Sequence, residues 1–344
     1  MASNRLVELD AIRGLAALAV VVYHYFFHFD ELYGHSDLPV AWSLGGQAGV
    51  QLFFMVSGFV IYWSLHNIRN PMDFVVSRFS RLYPGYWLGV ALTFTIVSIW
   101  SLPNREVALL DAIVNLTMFQ EFFGIPNVDG VYWTLAVELK FYVAMLAIYS
   151  LGQLQKAEWI LFALIAANVA QATKVIDLPE WIVTLFMFEH IAFFVMGMAF
   201  YKLCNHCRHA WMQHSLIWLA LASMLSVSSL RHFAVYSLMV ISFYLIAFGK
   251  LRWLAVKPLM SLGAVSYALY LIHQNIGYVI IREVYAQGGS GYVGVGLAIS
   301  ASLLIAFMVT YWLEKPALAF IRNIYKTSQW RHSMEQRFVA RSLV

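Results

Sequence analysis

Charged residues are scarce in this chain of 344 residues, since only 12% are Asp, Glu, Lys or Arg, whereas soluble proteins contain about 25%. Hydrophobic residues make up 61% of the sequence. A soluble fold of this length would need far more polar surface. The composition therefore excludes a typical cytosolic enzyme, a disordered protein and a nucleic-acid-binding module, and it predicts an integral membrane protein.

Cysteine is almost absent as well, with two residues in the whole chain. Cys204 and Cys207 provide no disulfide framework for the fold. His206 and His209 lie beside them, but the second pair of ligands that a zinc site needs is missing. We expect a reduced loop here and no metal site.

Long apolar runs define ten windows near the length of about 20 residues that a membrane-spanning helix needs. The first window is no cleavable signal peptide, because it starts with charged residues and contains His24 and His28. We predict an all-α polytopic membrane domain over 1–316 and a basic tail over 317–344. The windows are 11–29, 45–65, 85–101, 132–151, 157–173, 181–203, 212–229, 232–249, 258–280 and 292–313.

The positions of Lys and Arg predict the orientation, because these residues favour cytoplasmic segments. With a cytoplasmic N-terminus, 17 of the 22 basic residues lie in cytoplasmic segments and four in outer segments. We therefore expect both termini on the cytoplasmic side. The basic C-terminus, from Lys315 to Arg341, is expected to contact anionic lipids.

Ionisable side chains inside a span are costly and mark candidate functional sites. His24 lies about 9 Å from the outer end of the first window, and Glu138 about 10 Å from the outer end of the fourth. At matched depth the carboxylate can orient the imidazole and raise its basicity. The alternative for each residue is a structural hydrogen bond between helices.

Two polar stripes accompany this pair. Thr134, Glu138 and Tyr142 recur every four residues and share one helix face. Another window carries a similar stripe, formed by Ser266, Tyr270 and His273. Hydrogen bonding between helices is an equally good interpretation for Ser266.

The segment 66–84 contains a pair of arginines at the predicted cytoplasmic surface. Asn70 followed by Pro71 predicts a helix start, and Pro84 predicts the end of that short helix. Arg78 and Arg81 would then lie on one face, three residues apart. Guanidinium groups bind phosphate through paired hydrogen bonds, so the pair indicates a phosphate-bearing ligand. Ordinary positive charge on cytoplasmic segments is the alternative.

Several short motifs occur together in one order, and together they resemble the acyltransferase 3 family of multi-pass membrane acyltransferases. The resemblance covers nearly the whole chain. In this sequence the motifs are Leu9 to Gly14 leading to His24 (Arg-x10-His), Gly49 to Phe59 (FFxxSG), Arg78 to Pro84 (RxxRLYP), Trp133 to Glu138 (W-[ST]-L-x-x-E), Ser266 to His273 (SYxxYLxH) and Glu314 to Pro316 (ExP).

The resemblance implies a bacterial inner-membrane enzyme that transfers an acyl group, usually acetyl, from acyl-CoA to a hydroxyl of a surface or exported saccharide. Acetyl-CoA would be a co-substrate, with no permanently bound cofactor. The acceptor would be a saccharide or a lipid-linked glycan. Some members of the family carry a fused extracytoplasmic SGNH domain, so this chain is expected either to transfer alone or to work with a separate extracytoplasmic transferase.

From the motifs and the resemblance we assign roles to individual residues. His24 is the base or the acyl carrier, and Glu138 orients it. The donor-binding candidates are Arg13, Arg78, Arg81, Tyr83 and Ser57. The acceptor-binding or auxiliary candidates are Trp133, Thr134, Tyr270 and His273.

A proton-coupled transporter of a sugar or an organic anion is the competing function, because an intramembrane His–carboxylate pair also suits a carrier. The arginine pair and the lack of Gly- or Pro-interrupted spans in corresponding halves favour the enzyme. A purely structural membrane protein would explain none of the buried ionisable residues.

Overall fold

The computed structural model describes residues 6–205 and 209–328, and all regular structure in these ranges is helical. The predicted all-α class is confirmed. Short 3-10 turns lie between several of the helices. The helices are α1 (Val7–Tyr33), α2 (Ala41–His66), α3 (Pro71–Trp100), α4 (Leu109–Asn115), α5 (Gly130–Ser150), α6 (Ala157–Ala172), α7 (Glu180–Leu185), α8 (Ile191–Cys204), α9 (Ala210–Val227), α10 (Leu230–Ala247), α11 (Lys257–Ala286) and α12 (Gly291–Thr327).

Within the described residues, seven helices are long and apolar enough to cross a membrane: α1, α2, α3, α5, α10, α11 and α12. Three predicted windows match other helices. Window 157–173 corresponds to α6, which has 16 residues, window 212–229 corresponds to α9, and window 181–203 contains α7 and α8. The total of ten spans and the sidedness of the termini stay predictions.

The continuous span predicted over 181–203 is wrong, because the chain breaks between α7 and α8. Met187 adopts a left-handed backbone conformation with φ of 52°. The Asn168 amide donates to the carbonyl of Phe188 at 2.8 Å. This bond satisfies a backbone acceptor that the break removes from a helical ladder. A buried asparagine thus permits a break that contains neither glycine nor proline.

Helix α3 confirms one predicted boundary and corrects another. The Asn70 side chain caps its start by accepting from the Asp73 N–H at 3.0 Å. Pro84, however, lies inside the helix, which continues to Trp100. Proline removes the backbone donor that would bond to the Ser80 carbonyl. The Tyr267 hydroxyl donates to the Leu82 carbonyl, two residues before the proline, at 2.8 Å, and this bond supports the helix beside the proline.

The structure consists of two compact units. The first contains the described parts of 1–16, 48–67 and 137–263. In it α2 and α8 pack closely, because Gly58 lies against the backbone of Phe194 and Gly197 against the backbone of Met55. Small residues of this kind let two helix backbones approach.

The second unit contains the described parts of 17–47, 68–136 and 264–344. Its core includes the fully buried Tyr25 of α1. The Tyr25 hydroxyl donates to the His273 carbonyl of α11 at 2.6 Å and lies 2.7 Å from Ser302 Oγ of α12. Its ring lies against Gly277, where a Cβ atom would overlap it. One tyrosine therefore fixes how α1 meets α11 and α12.

We predict that Gly277→Ala destabilises the protein, because the new methyl group overlaps the Tyr25 ring and overpacking costs about 1–3 kcal/mol. Thermal unfolding in detergent should show a clear loss. Gly296→Ala is the matched control, since a Cβ atom there meets nothing within 4 Å. Equal melting temperatures for the two variants would contradict the assigned packing.

Candidate active site

Two histidines meet in the second unit. His24 begins a π-helical segment of α1, His24–His28, and such segments occur mostly as single turns at functional sites. His24 Nδ1 lies 3.0 Å from Nε2 of His273 on α11. His273 is fully buried, whereas the His24 ring is partly exposed.

The hydrogen bonds of this pair assign the position of each proton. His273 Nδ1 lies 3.1 Å from the Leu269 carbonyl oxygen and 2.9 Å from that of Tyr270. A carbonyl oxygen only accepts, so the neutral His273 ring carries its proton on Nδ1 and accepts on Nε2. His24 Nδ1 then donates to this Nε2 and to the Val20 carbonyl at 2.9 Å. The remaining nitrogen of His24, Nε2, therefore carries a lone pair.

Glu138 lies in the first unit with its own partners. Its Oε1 accepts from the Ser57 hydroxyl at 2.5 Å and from the Tyr142 hydroxyl. The structure thus joins the predicted serine of α2 to two members of the α5 stripe. His24 has a side-chain hydrogen-bond partner in His273, and the direct pairing of His24 with Glu138 stays a prediction.

The two arginines of α3 are held by aromatic rings in the second unit. The Arg81 guanidinium lies 5.8 Å from the ring centre of Tyr267, and that of Arg78 lies 5.5 Å from the ring centre of Phe74. Tyr267 and His273 both belong to α11, six residues apart, which corresponds to about 9 Å along the axis. One continuous helix therefore contacts both Arg81 and His24.

Arg13 and Tyr83, two other residues predicted to bind the donor, have partners outside the arginine and histidine pairs. Arg13 pairs with Asp10 at 3.8 Å in the first unit. The Tyr83 hydroxyl donates to the carbonyl of Thr117 at 2.9 Å. This contact ties α3 to the segment after α4.

Two of the predicted auxiliary residues, Trp133 and Thr134, lie at the start of α5, and a third, Tyr270 of α11, contacts Thr134. The hydroxyls of Thr134 and Tyr270 lie 2.8 Å apart, and both also contact the Val131 carbonyl oxygen. These bonds anchor α5 to α11 within the second unit. Trp133 is 37% exposed.

A family model described as an acyltransferase domain matches residues 6–313. The chain belongs to this acyltransferase family. Membership confirms the resemblance seen in the motifs, and the apolar helices agree with a membrane acyltransferase. No solved structure matches the chain.

Curated relatives of this acyltransferase are named for exopolysaccharide production or for O-acetyl transfer. An exopolysaccharide production protein, ExoZ of Rhizobium meliloti, is 25% identical over 324 residues, which cover 85% of this chain and 94% of that protein. A peptidoglycan O-acetyltransferase, OatA of Listeria monocytogenes, is 28% identical over 40% of this chain and 23% of that protein. The O-acetyltransferase OatA of Staphylococcus aureus is 24% identical over 81% of this chain and 52% of that protein. The match thus spans only about a quarter and a half of the two OatA proteins.

The sequence reasoning missed a buried carboxyl group just before α5 of the acyltransferase. Asp129 is fully buried and accepts from the N–H groups of Asn275 at 3.1 Å and Val131 at 3.2 Å. Burial raises the pKa of Asp129 to about 7, and Arg105 opposes this shift. The Asp–Gly pair ahead of an apolar run was the available signal, since Asp commonly caps helices.

No metal centre is formed in the described ranges 6–205 and 209–328 by three or more His, Cys, Asp or Glu side chains. Cys204 is described as a free thiol. Of the other residues in the predicted loop, His206 and Cys207 lie outside the described residues.

We predict a pH-dependent contribution of Asp129 to stability. Its pKa is about 7 in the fold and about 4 in an unfolded chain. The folded chain therefore holds this proton more tightly, and the contribution is complete below about pH 4 and is lost as the pH rises through 7. Asp129→Asn should remove a slope of up to about 1.4 kcal/mol per pH unit over that window.

Thermal unfolding between pH 5 and pH 8 measures this effect. The melting temperature of the wild type should fall more steeply with pH than that of Asp129→Asn. Asp177→Asn, at an exposed position, is the control and should follow the wild type. Parallel curves for all three proteins would exclude a raised pKa at Asp129.

Proposed function

We propose that this acyltransferase transfers an acyl group, with acetyl as the proposed group, from acyl-CoA to a hydroxyl of a surface or exported saccharide. The observation that carries the proposal is the lone pair on His24 Nε2. This nitrogen keeps its lone pair because Nδ1 makes the hydrogen bonds with the Val20 carbonyl and with His273. Family membership supports acyl transfer. The names of ExoZ and of the Listeria OatA support a glycan acceptor.

His24 can act in two ways. As a base, Nε2 takes the proton of the acceptor hydroxyl while the oxygen attacks the thioester carbonyl carbon. The C–S bond then breaks, and the CoA thiolate takes the proton from Nε2. As an acyl carrier, Nε2 attacks the carbonyl carbon first, and the C–S bond breaks to release the thiolate and leave an acyl-imidazolium. The acceptor hydroxyl then attacks this acyl group, the C–Nε2 bond breaks to return the neutral imidazole, and the proton of the hydroxyl passes to the thiolate. Both routes end in an ester and free CoA.

His273 acts as the positioning residue in either route. The hydrogen bond that His24 Nδ1 donates to His273 Nε2 holds the His24 ring in one orientation and keeps the lone pair of that ring on Nε2. When His24 gains positive charge, the same bond becomes charge-assisted and stronger. The orientation of His24 by Glu138, predicted from the sequence, remains part of the proposal.

The arginines of α3 supply the donor site in this proposal. Arg78 and Arg81 lie at the end of α3 that is predicted to face the cytoplasm, where acyl-CoA is made. Guanidinium groups suit the phosphates of CoA, while its pantetheine arm runs along α11 toward His24. Ser57 and Arg13, which belong to the first unit, remain proposed donor-binding residues.

The acceptor would reach His24 from the opposite end. Trp133 and the Thr134–Tyr270 pair are the proposed contacts there, and a separate extracytoplasmic transferase is the alternative recipient of the acyl group. Membership of the acyltransferase family favours this function over a proton-coupled carrier. Anionic lipids remain the proposed partner of the basic tail, whose residues 329–344 lie outside the described residues.

We predict that His24→Ala abolishes acyl transfer, because neither route works without Nε2. His273→Phe should lower kcat by about 10²-fold or more with the KM for acetyl-CoA unchanged, since positioned acid–base catalysis contributes about 10²–10⁴-fold. His273→Gln keeps an acceptor group and should recover part of the rate. Transfer of radiolabelled acetyl from acetyl-CoA to membrane and surface glycans measures the activity.

His232→Ala is the control, since the half-buried His232 lies at the start of α10 in the first unit, where its ring contacts Ser229. It should leave transfer unchanged. Wild-type activity in His24→Ala would refute the proposed function. Equal losses in His273→Phe and His273→Gln, together with a raised KM, would reduce His273 to a structural residue.

We further predict that Arg78→Ala combined with Arg81→Ala raises the KM for acetyl-CoA by at least about tenfold, because each charge-assisted bond contributes about 1.5–3 kcal/mol. The kcat should change little, since the phosphates lie far from the reacting carbonyl. Initial rates against donor concentration give both constants. Arg69→Ala, at the exposed start of α3, is the control. A collapse of kcat with unchanged KM would exclude a phosphate-binding role.

A further inference from the structure

Helix α12 brings a third arginine to the pair on α3. The last part of α12, Lys315–Thr327, packs along the first turns of α3. The Tyr325 hydroxyl donates to Asp73 Oδ1 at 3.0 Å. One turn earlier on α12, Arg322 lies beside the α3 residues that precede Arg81.

Two arginines share one serine at this contact. Arg322 Nη2 donates to Ser77 Oγ at 3.1 Å, and Arg78 Nη2 donates to the same oxygen at 3.4 Å. Arg322 Nε donates to Ser80 Oγ at 3.2 Å. The charges of Arg78 and Arg81 both act on Arg322, so three guanidinium groups lie near one another at this contact.

This arrangement is costly without an anion. Like charges repel strongly when partly removed from water, and the oxygens that Arg322 contacts, those of Ser77 and Ser80, are neutral. These bonds also fix the orientation of the guanidinium group. They use Nε and Nη2, and in the described part of the chain the structure gives Nη1 no acceptor. An oriented guanidinium edge beside two further arginines is suited to paired hydrogen bonds with phosphate.

We propose that Arg322 forms a three-arginine anion site with Arg78 and Arg81, and that this site binds phosphate or diphosphate groups. Assigning these groups to acyl-CoA rests on the proposed function. Arg322 lies beyond the residues that match the family model, so the structure alone indicates it. A phosphate of an anionic lipid has the same chemistry and is the other source to test.

The experiment measures binding of CoA and of pyrophosphate to the purified protein in phosphatidylcholine nanodiscs, by calorimetry. Arg322→Gln should weaken both probes by about tenfold or more, as expected for the loss of a charge-assisted contact. Arg322→Lys keeps the charge but loses the paired donors, so it should fall between Gln and wild type. Lys326→Gln is the matched control, because it removes one exposed charge from the next turn of the same helix and should bind like wild type.

The outcomes separate this site from the proposed function. If Arg322→Gln leaves the affinities for CoA and pyrophosphate unchanged while Arg78→Ala weakens them, Arg322 is not part of the anion site. Pyrophosphate binding that depends on Arg322, without CoA binding by wild type, would support the anion site and refute the donor assignment. Binding of neither probe to wild type would overturn both.

Two further measurements complete the test. Nanodiscs containing phosphatidylglycerol distinguish the lipid source: unchanged CoA affinity supports a nucleotide site, whereas a marked loss that disappears in Arg322→Gln assigns the site to lipid phosphate. Dephospho-CoA locates the contact on the nucleotide. If Arg322→Gln weakens CoA but not dephospho-CoA, Arg322 binds the 3′-phosphate, and if it weakens both, Arg322 binds the diphosphate.

Discussion

The hydrogen bond between His24 and His273 is the interaction on which the candidate site depends. It exists only because α1 and α11 meet at a fixed height and rotation, which Tyr25 and the missing side chain of Gly277 determine. On each ring, Nδ1 faces a backbone carbonyl oxygen and must therefore donate. This requirement leaves one arrangement of protons for the neutral pair. Packing in the second unit therefore decides which nitrogen of His24 is available for chemistry.

Much of the fold could be predicted from the sequence because lipid leaves few choices. A chain with so little charge must satisfy its backbone internally, and helices do so within one segment. The exceptions arise from tertiary contacts. Tyr267 supports α3 beside Pro84, and Asn168 supports the break before α8. Neither partner is near in sequence to the feature that it stabilises, so a scan of apolar windows misses both.

The candidate site, like the fold, could be predicted from the sequence only in part. His24, Glu138 and the two arginines of α3 stand out because ionisable groups are rare in such a chain. Their partners do not, since sequence spacing gives the face of one helix but not the neighbouring helix. The π-helical turn at His24 also alters the face that an ideal α-helix would present. Arg322 is indistinguishable in sequence from the other basic residues of the C-terminal segment.

Helix α11 explains how one rigid element can serve two chemical tasks under the proposed function. Tyr267 contacts an arginine at one level, and His273 contacts the reactive histidine about 9 Å further along the axis. A continuous helix fixes this separation without relying on loops. The donor's charged groups would then be held where water screens the arginines, while the thioester lies where water is scarce. Acyl transfer to a saccharide competes with hydrolysis, so separating these levels favours the ester product.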